Sequence, residues 1–408
     1  MAQFEKAIEQ AIADQDIPGC VLHAINRDGS LKYDKAFGKR SVRVGGDQSP
    51  LQPNTVMWIA SCTKLMTAVC VMQLVEQGRL SLDAPVYDVI PELKDFPILE
   101  EMKEDGTPIL TPHKNPITLR LLLSHSSGIT YGAMHPPTLA YYEATGKDPG
   151  LAGTVLERFG NPMTFEPGTS WAYGPGIDYA GLMVERVSKM TLEDYMKKNL
   201  WGPLGVKDMT FSLSRRPDLK DRKGEICKRD EDTGKIAQTD DRMPHQTEDG
   251  GDVKDCMGGQ GVFAPPEEYI KILHAVLTTD ENEKILKKSS VEQLTKPQLS
   301  EAASAQLNAA LKLEQMNNAM GATSLEVKRD YGLGGLVICE DDPAGPREGT
   351  MVWGGYPNLL WFIDRKSGLA GLYASQILPP GDAKTAILDK KFEAGMYEKL
   401  KRGNASQI

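Results

Sequence analysis

The chain has 408 residues, 40% apolar and 25% charged, enough for a large core and two domains. Its formal net charge of −9 excludes a nucleic-acid surface, which needs a basic face. The start, Met1-Ala2-Gln3-Phe4-Glu5-Lys6, has no apolar signal core, and the most apolar stretch, Trp58 to Val75, carries Ser61, Lys64, Thr67 and Gln73. Neither secretion nor a membrane span is expected, and the expected compartment is the cytoplasm. Cys20, Cys62, Cys70, Cys227, Cys256 and Cys339 form no C-x-x-C pair and have no histidine at zinc spacing, so free thiols are expected. Asn404-Ala405-Ser406 is a glycosylation triplet that would be idle in the cytosol.

Phe4, Ile8 and Ile12 recur every fourth residue and predict a helix over 3–15, stopped by Pro18-Gly19. Residues 20–38 read as a hairpin turning at Asp28-Gly29. Ser61 to Gln77 is apolar nearly all round, the pattern of a buried helix, with Gly78 as its C-cap. The stretch 80–205 is rich in helical pattern and turn signals, and Thr191 with Asp194 reads as a capping box. Residues 214–256 are polar and without period, which predicts a lid, a binding loop or a mobile segment. Order resumes at Gly258, a helix follows over Pro266–Leu277, and 331–376 reads as three strands turning near 341–347, 356–358 and 364–368. Residues 382–401 form a terminal helix. Strands at both ends with helices between them predict an α+β fold, one antiparallel sheet flanked by helices with a helical domain inserted. The expected division is 1–95 with 205–408 as the sheet domain and 96–204 as the helical domain, with the active site between them.

Ser61-Cys62-Thr63-Lys64 is the only S-x-x-K in the chain, although composition alone supplies roughly one such tetrad at this length. Its position adds weight, because it opens the buried helix. Residues three apart share a helix face, so the hydroxyl and the amine can meet. A helix start also offers the positive end of the dipole and free N–H groups for an oxyanion. Burial disfavours an ammonium, and a neutral amine can serve as base. There is no G-x-S-x-G, no H-E-x-x-H and no Walker A. Gly259-x-Gly261-x-x-Ala264 matches a dinucleotide pattern formally, but Pro265-Pro266 spoils the helix opening it needs. No metal and no cofactor is implied.

Four further segments accompany the tetrad: Leu121-Leu122-Leu123-Ser124-His125-Ser126-Ser127-Gly128, Trp171-Ala172-Tyr173-Gly174, Gly259-Gln260-Gly261-Val262-Phe263 and Trp353-Gly354-Gly355-Tyr356. In order and spacing they resemble the serine β-lactamase-like superfamily, in its class C and esterase branch. The second resembles the segment with that family's catalytic tyrosine, and the last sits where the family has its K-T-G strand. Ile17-Pro18-Gly19, Leu204 to Phe211 and Tyr331 to Gly335 extend the likeness to the fungal acyltransferases that attach the lovastatin side chain.

The resemblance implies a β-lactamase/transpeptidase-like fold, with Ser61 as nucleophile and Lys64 and Tyr173 sharing its proton. It also implies an oxyanion hole from the N–H groups of Ser61 and Tyr356, in a substrate site with Trp353, Gly354 and Gly355. His125 reads as a turn residue bonding to backbone. Two departures narrow the chemistry. Pro175 and Gly176 stand where the family's tyrosine motif often continues to an asparagine, and Trp353 replaces the K-T-G lysine. Both losses disfavour lactams and favour esters or thioesters. The implied partners are a small-molecule acyl acceptor and an acyl thioester donor, one form being a polyketide-synthase acyl carrier domain. A carrier is acidic, so Arg215, Arg216, Lys220, Arg222, Lys223, Lys228 and Arg229 are a candidate docking patch, or else a merely solvated loop. Transfer to a hydroxyl of a polyketide-type metabolite and hydrolysis as an esterase or thioesterase both fit these motifs.

Overall fold

A computed structural model describes residues 1–146, 150 and 152–405. Ser406 of the glycosylation triplet lies outside them. The helix Gln3–Ala13 (α1) leads into strands Gly19–Asn26 (β1) and Lys32–Gly38 (β2). Their turn is the expected one, with Gly29 at φ 74 and Asp28 Oδ1 accepting from the Ser30 N–H at 3.0 Å. The other five strands of the main sheet come from the far end of the chain: Arg329–Tyr331 (β3), Leu336–Ile338 (β4), Met351–Gly355 (β5), Leu359–Asp364 (β6) and Leu369–Ala374 (β7). The order is β2-β1-β7-β6-β5-β4-β3, antiparallel throughout. The sheet therefore joins the two ends of the chain, as the sequence predicted.

Five strands stand where the sequence showed three. β3 and β4 have three residues each, too few to display an alternation, and Gly332, Gly334 and Gly335 separate them.

One face of the sheet carries Tyr33, against which Phe4 of α1 and Phe392 of the terminal helix Ala383–Ala405 pack with ring centroids 5.5 and 5.9 Å away. Helix Pro266–Leu277 packs on β1, β6 and β7. Thr63–Glu76, here α2, is buried from Thr63 to Leu74. Its four buried polar side chains all pair with backbone: Thr63 accepts the Val262 N–H, while Lys64 donates to the Gly259 carbonyl, Thr67 to that of Gly258, and Gln73 to those of Asn199 and Ile285. That pairing is what allows a helix with Lys, Thr and Gln to sit in a core.

The middle of the chain holds helices, including Gly176–Ser188 (α3), which packs on α2. It also holds an unforeseen hairpin, Pro97–Met102 with Pro108–Pro112, turning at Asp105-Gly106 with Gly106 at φ 81. Thr191 caps its helix by accepting from the Asp194 N–H at 3.1 Å.

The polar stretch 214–256 is tied down, which the lid or mobile-segment expectation did not foresee. Cys227–Arg229 pairs with Ile377–Leu378 and with Ile236–Gln238. The buried Arg158 donates to the carbonyls of Pro244 and Gln246. No helix among the described residues is long and apolar enough to cross a membrane. All six cysteines are free.

Candidate active site

Helix α2 opens two residues later than its pattern suggested, at Thr63, so Ser61 precedes it. Ser61 lies in a single 3-10 turn, Ala60–Cys62, ahead of α2, and Ala60 holds a left-handed φ of 44. An alanine in that region costs about 1–2 kcal/mol and is kept only where its surroundings impose it. The turn still brings Ser61 over the first turn of α2. Lys64 is fully buried, and its Nζ donates to Ser61 Oγ at 3.3 Å and to the Gly259 carbonyl at 2.7 Å. Tyr173, from the loop before α3, has its hydroxyl 2.6 Å from Ser61 Oγ. The Lys64 ammonium also lies 4.8 Å from the centre of the Tyr173 ring. Ser61, Lys64 and Tyr173 are thus brought together.

Two residues of this cluster escaped the sequence reading. The Tyr131 hydroxyl accepts from Lys64 at 3.3 Å and donates to Asp178 Oδ2 at 3.2 Å. Asp178 Oδ1 accepts from the Gly259 N–H at 2.9 Å. The Gly259 backbone, through its C=O and its N–H, and the Tyr131 hydroxyl therefore each bridge Lys64 to Asp178. Burial raises the pKa of Asp178, and the Lys64 charge opposes that rise. Burial, then Asp178, raises that of Tyr131. Gly259 has no room for a side chain, since a Cβ would lie 2.3 Å from Asp178 Oδ2. The available signal was the lysine itself: a cation inside an apolar helix requires a counter-charge nearby.

His125 does not touch Ser61. It is buried at φ 57, accepts the Gly174 N–H at Nδ1 (3.3 Å) and meets the Tyr331 hydroxyl at Nε2 (3.2 Å). Burial, then the Lys64 charge, lowers its pKa well below the usual histidine value, so the ring is neutral. It holds the segment just after Tyr173, in keeping with the backbone-bonding role read from the sequence.

Strand β5 closes the site. A Cβ on Gly355 would lie 2.5 Å from the Ile59 carbonyl and 3.2 Å from Cys62 Sγ. Only glycine lets the strand end approach the Ser61 turn this closely. Tyr356 follows, and its N–H has no acceptor among the described residues. The first N–H groups of a helical turn lack intrahelical acceptors, and Ser61 is in such a turn. A cavity of about 250 Å³ opens between Ser61, Tyr173, the strand Trp353–Tyr356, Met134, and the helix Glu314–Ala319 (α4 in chain order) with Met320 and Pro380. Among the described residues, no charged side chain lines it.

The candidate docking patch is largely paired, with Arg215 and Lys220 left exposed. Arg216 and Arg222 both pair with Asp208, Lys228 with Asp241, and Arg229 with Asp382. Lys223 is half-buried over the Phe263 ring. Asp218 within the run also pairs with Arg216 at 2.7 Å, and only Asp382 comes from far along the chain.

The β-lactamase family model matches residues 4–394. The chain belongs to the β-lactamase family. Within this family it is 34% identical over 404 residues to the monacolin J acid methylbutanoyltransferase of Aspergillus terreus, covering 98% of this chain and 96% of that one. It is 35% identical to the lovastatin esterase of Penicillium rubens, covering 99% and 100%. A simvastatin synthase variant of Aspergillus terreus superposes with a TM-score of 0.89 at 35% identity, over 98% of this chain and 97% of that one. EstCE1, a hydrolase with promiscuous acyltransferase activity, shares the fold at TM-score 0.74 and 20% identity. The protein is an enzyme of the serine β-lactamase fold.

Proposed function

We propose that this enzyme is an acyltransferase. It moves an acyl group from a thioester donor, through an ester on Ser61, to a hydroxyl of a polyketide-type metabolite in the cytoplasm. The carrying observation is the Ser61–Tyr173–Lys64 cluster opening onto an uncharged cavity. Ser61 Oγ attacks the thioester carbonyl as its proton passes to the Tyr173–Lys64 pair, which act as one coupled base. The oxyanion is held by the N–H groups of Ser61 and Tyr356. The carbon–sulfur bond breaks and the thiol leaves with that proton. An acceptor hydroxyl then attacks the Ser61 ester, gives its proton to the same pair, and Ser61 leaves with it restored. In this reading the substrate sits between a sheet unit, 1–95 with 205–408, and a helical unit, 96–204.

The relatives supply the acceptor class, since they are named for acyl transfer to monacolin J acid and to ML-236A carboxylate. Trp353 stands on the cavity wall where a lactam-binding lysine would be expected, which argues against a lactam carboxylate. A carrier-borne donor is compatible with this reading, and at 215–229 the exposed Arg215 and Lys220 are what it would meet, since Arg216, Arg222, Lys228 and Arg229 are paired.

A second reading, hydrolysis with water as acceptor, is favoured by the full-length likeness to the lovastatin esterase. Intact mass after incubation with butanoyl thioester, followed by a chase with alcohol or with buffer, separates the two. An adduct absent in Ser61→Ala and discharged by alcohol supports transfer, and rapid loss in buffer supports hydrolysis. No adduct under any condition would refute both.

A further inference from the structure

One side chain holds the turn that carries the Tyr356 N–H. Asn358 is 3% exposed and closes the β5–β6 hairpin at φ 61. Its Nδ2 donates to the carbonyls of Ile377 and Pro379, both at 2.7 Å. Its Oδ1 accepts from the N–H groups of Gly381 at 2.9 Å and Asp382 at 3.1 Å. Both donors and both acceptor positions of the amide are used, all by one segment, 377–382. That segment also supplies Pro380 to the cavity wall, and the Pro380 carbonyl accepts from Gln315 Nε2 at 3.2 Å. This amide, together with the Ile377 N–H donating to the Pro357 carbonyl at 3.3 Å, joins the Tyr356 turn to the wall of the acyl cavity.

We propose that Asn358 is a positioning residue that fixes the Tyr356 N–H as an oxyanion donor relative to that wall. The inference rests on Ser61 being the nucleophile. An oxyanion donor works only when it is aimed beforehand, and a displacement near 1 Å is costly. Tyr356 is 39% exposed, with its ring centroid 5.8 Å from that of Trp58, so its own side chain gives the turn little purchase. The turn must be stiffened from elsewhere, and Asn358 offers the connection. Asparagine also suits the backbone, since it enters the left-handed region more readily than most residues. Aspartate would keep the shape and the two acceptors, but would set an oxygen against the Ile377 and Pro379 carbonyls.

The test uses the full-length protein and two variants. Asn358→Gly tolerates φ 61 and deletes the amide, and Asn358→Asp keeps the size and removes the donors. Each is assayed for single-turnover acylation by p-nitrophenyl butanoate and for inhibition by butylboronic acid, which forms a tetrahedral adduct on a serine. Acylation should slow about 10–100-fold, with KM changing little. The boronic acid inhibition constant should rise by the same factor. If activity falls only with the folded fraction, and boronate affinity per folded molecule is unchanged, Asn358 is structural and the proposal is overturned. If the wild-type protein itself gives neither burst nor boronate binding, the Ser61 reading fails, and this one with it.

Discussion

Replacing Gly355 by alanine should cost more activity than stability. The added Cβ would sit 2.5 Å from the Ile59 carbonyl, about 1 Å short of ordinary contact. The obstacle is backbone, so no side-chain rotation relieves it. Either β5 retreats or the Ile59–Cys62 turn does, and each move separates Ser61 from the Tyr356 N–H. Overpacking of this kind costs about 1–3 kcal/mol, a minor loss for a sheet with both faces covered. Losing one oxyanion donor slows catalysis about 10²–10³-fold. The acylation burst with p-nitrophenyl butanoate reads the second effect, and a thermal melt reads the first. Gly403→Ala is the control, because nothing lies within 4 Å of its Cβ. A Gly355→Ala protein with a lowered melting temperature but a normal burst would refute the link between this close approach and the chemistry.

Tyr173→Phe removes a hydroxyl 2.6 Å from Ser61 and should slow acylation about 10²–10⁴-fold with the fold intact, and adding Lys64→Met should cost little more. Equal and multiplicative losses would mean that the two do not act as a unit. Asp178→Ala leaves the buried Lys64 ammonium without its bridged carboxylate and should destabilise by about 3–5 kcal/mol in urea titration. The double variant with Lys64→Met should recover much of that loss, and no recovery would count against the pairing.

Asp389 is pushed up to about 8 by burial and then by Glu393. Between pH 4 and 8 the folded chain holds a proton that the unfolded chain releases, so stability should fall as pH rises, by up to about 1.4 kcal/mol per unit, and level off above 8. Asp389→Asn should abolish that slope, and a slope equal to wild type would contradict the assignment. Arg222→Glu breaks its pair with Asp208 and should alter KM for carrier-borne and small thioesters alike. A selective effect on the carrier-borne donor would restore the docking idea.

The sequence revealed what depends on local spacing. Ser61 and Lys64 are three apart on one helical path, and the two-ended sheet followed from strand patterns at both termini. It concealed what depends on chain crossings. Nothing near Tyr131 or Asp178 marks them, because their partners are Lys64 and a glycine peptide far along the chain. The 97–112 hairpin did have a legible signal, Asp105-Gly106, masked by surrounding helical pattern. The anchoring of 214–256 by Arg158 uses backbone carbonyls, which leave no trace in side-chain periodicity.

The two-ended sheet has a consequence during synthesis. β1 pairs with β7 in the register Val21 to Ala374, so β1 leaves the ribosome about 350 residues before its partner. At about 5–20 residues per second the delay is roughly 20–70 s, during which an apolar strand has an open edge. Truncation before β7 should therefore yield aggregate rather than a smaller enzyme. The finished molecule also suggests a remedy, because Gln3 and Arg402 line the same surface cleft. A circular permutant joining the termini by a short linker, reopened at the Asp105-Gly106 turn, would make the β1–β7 pairing local and shorten the vulnerable interval.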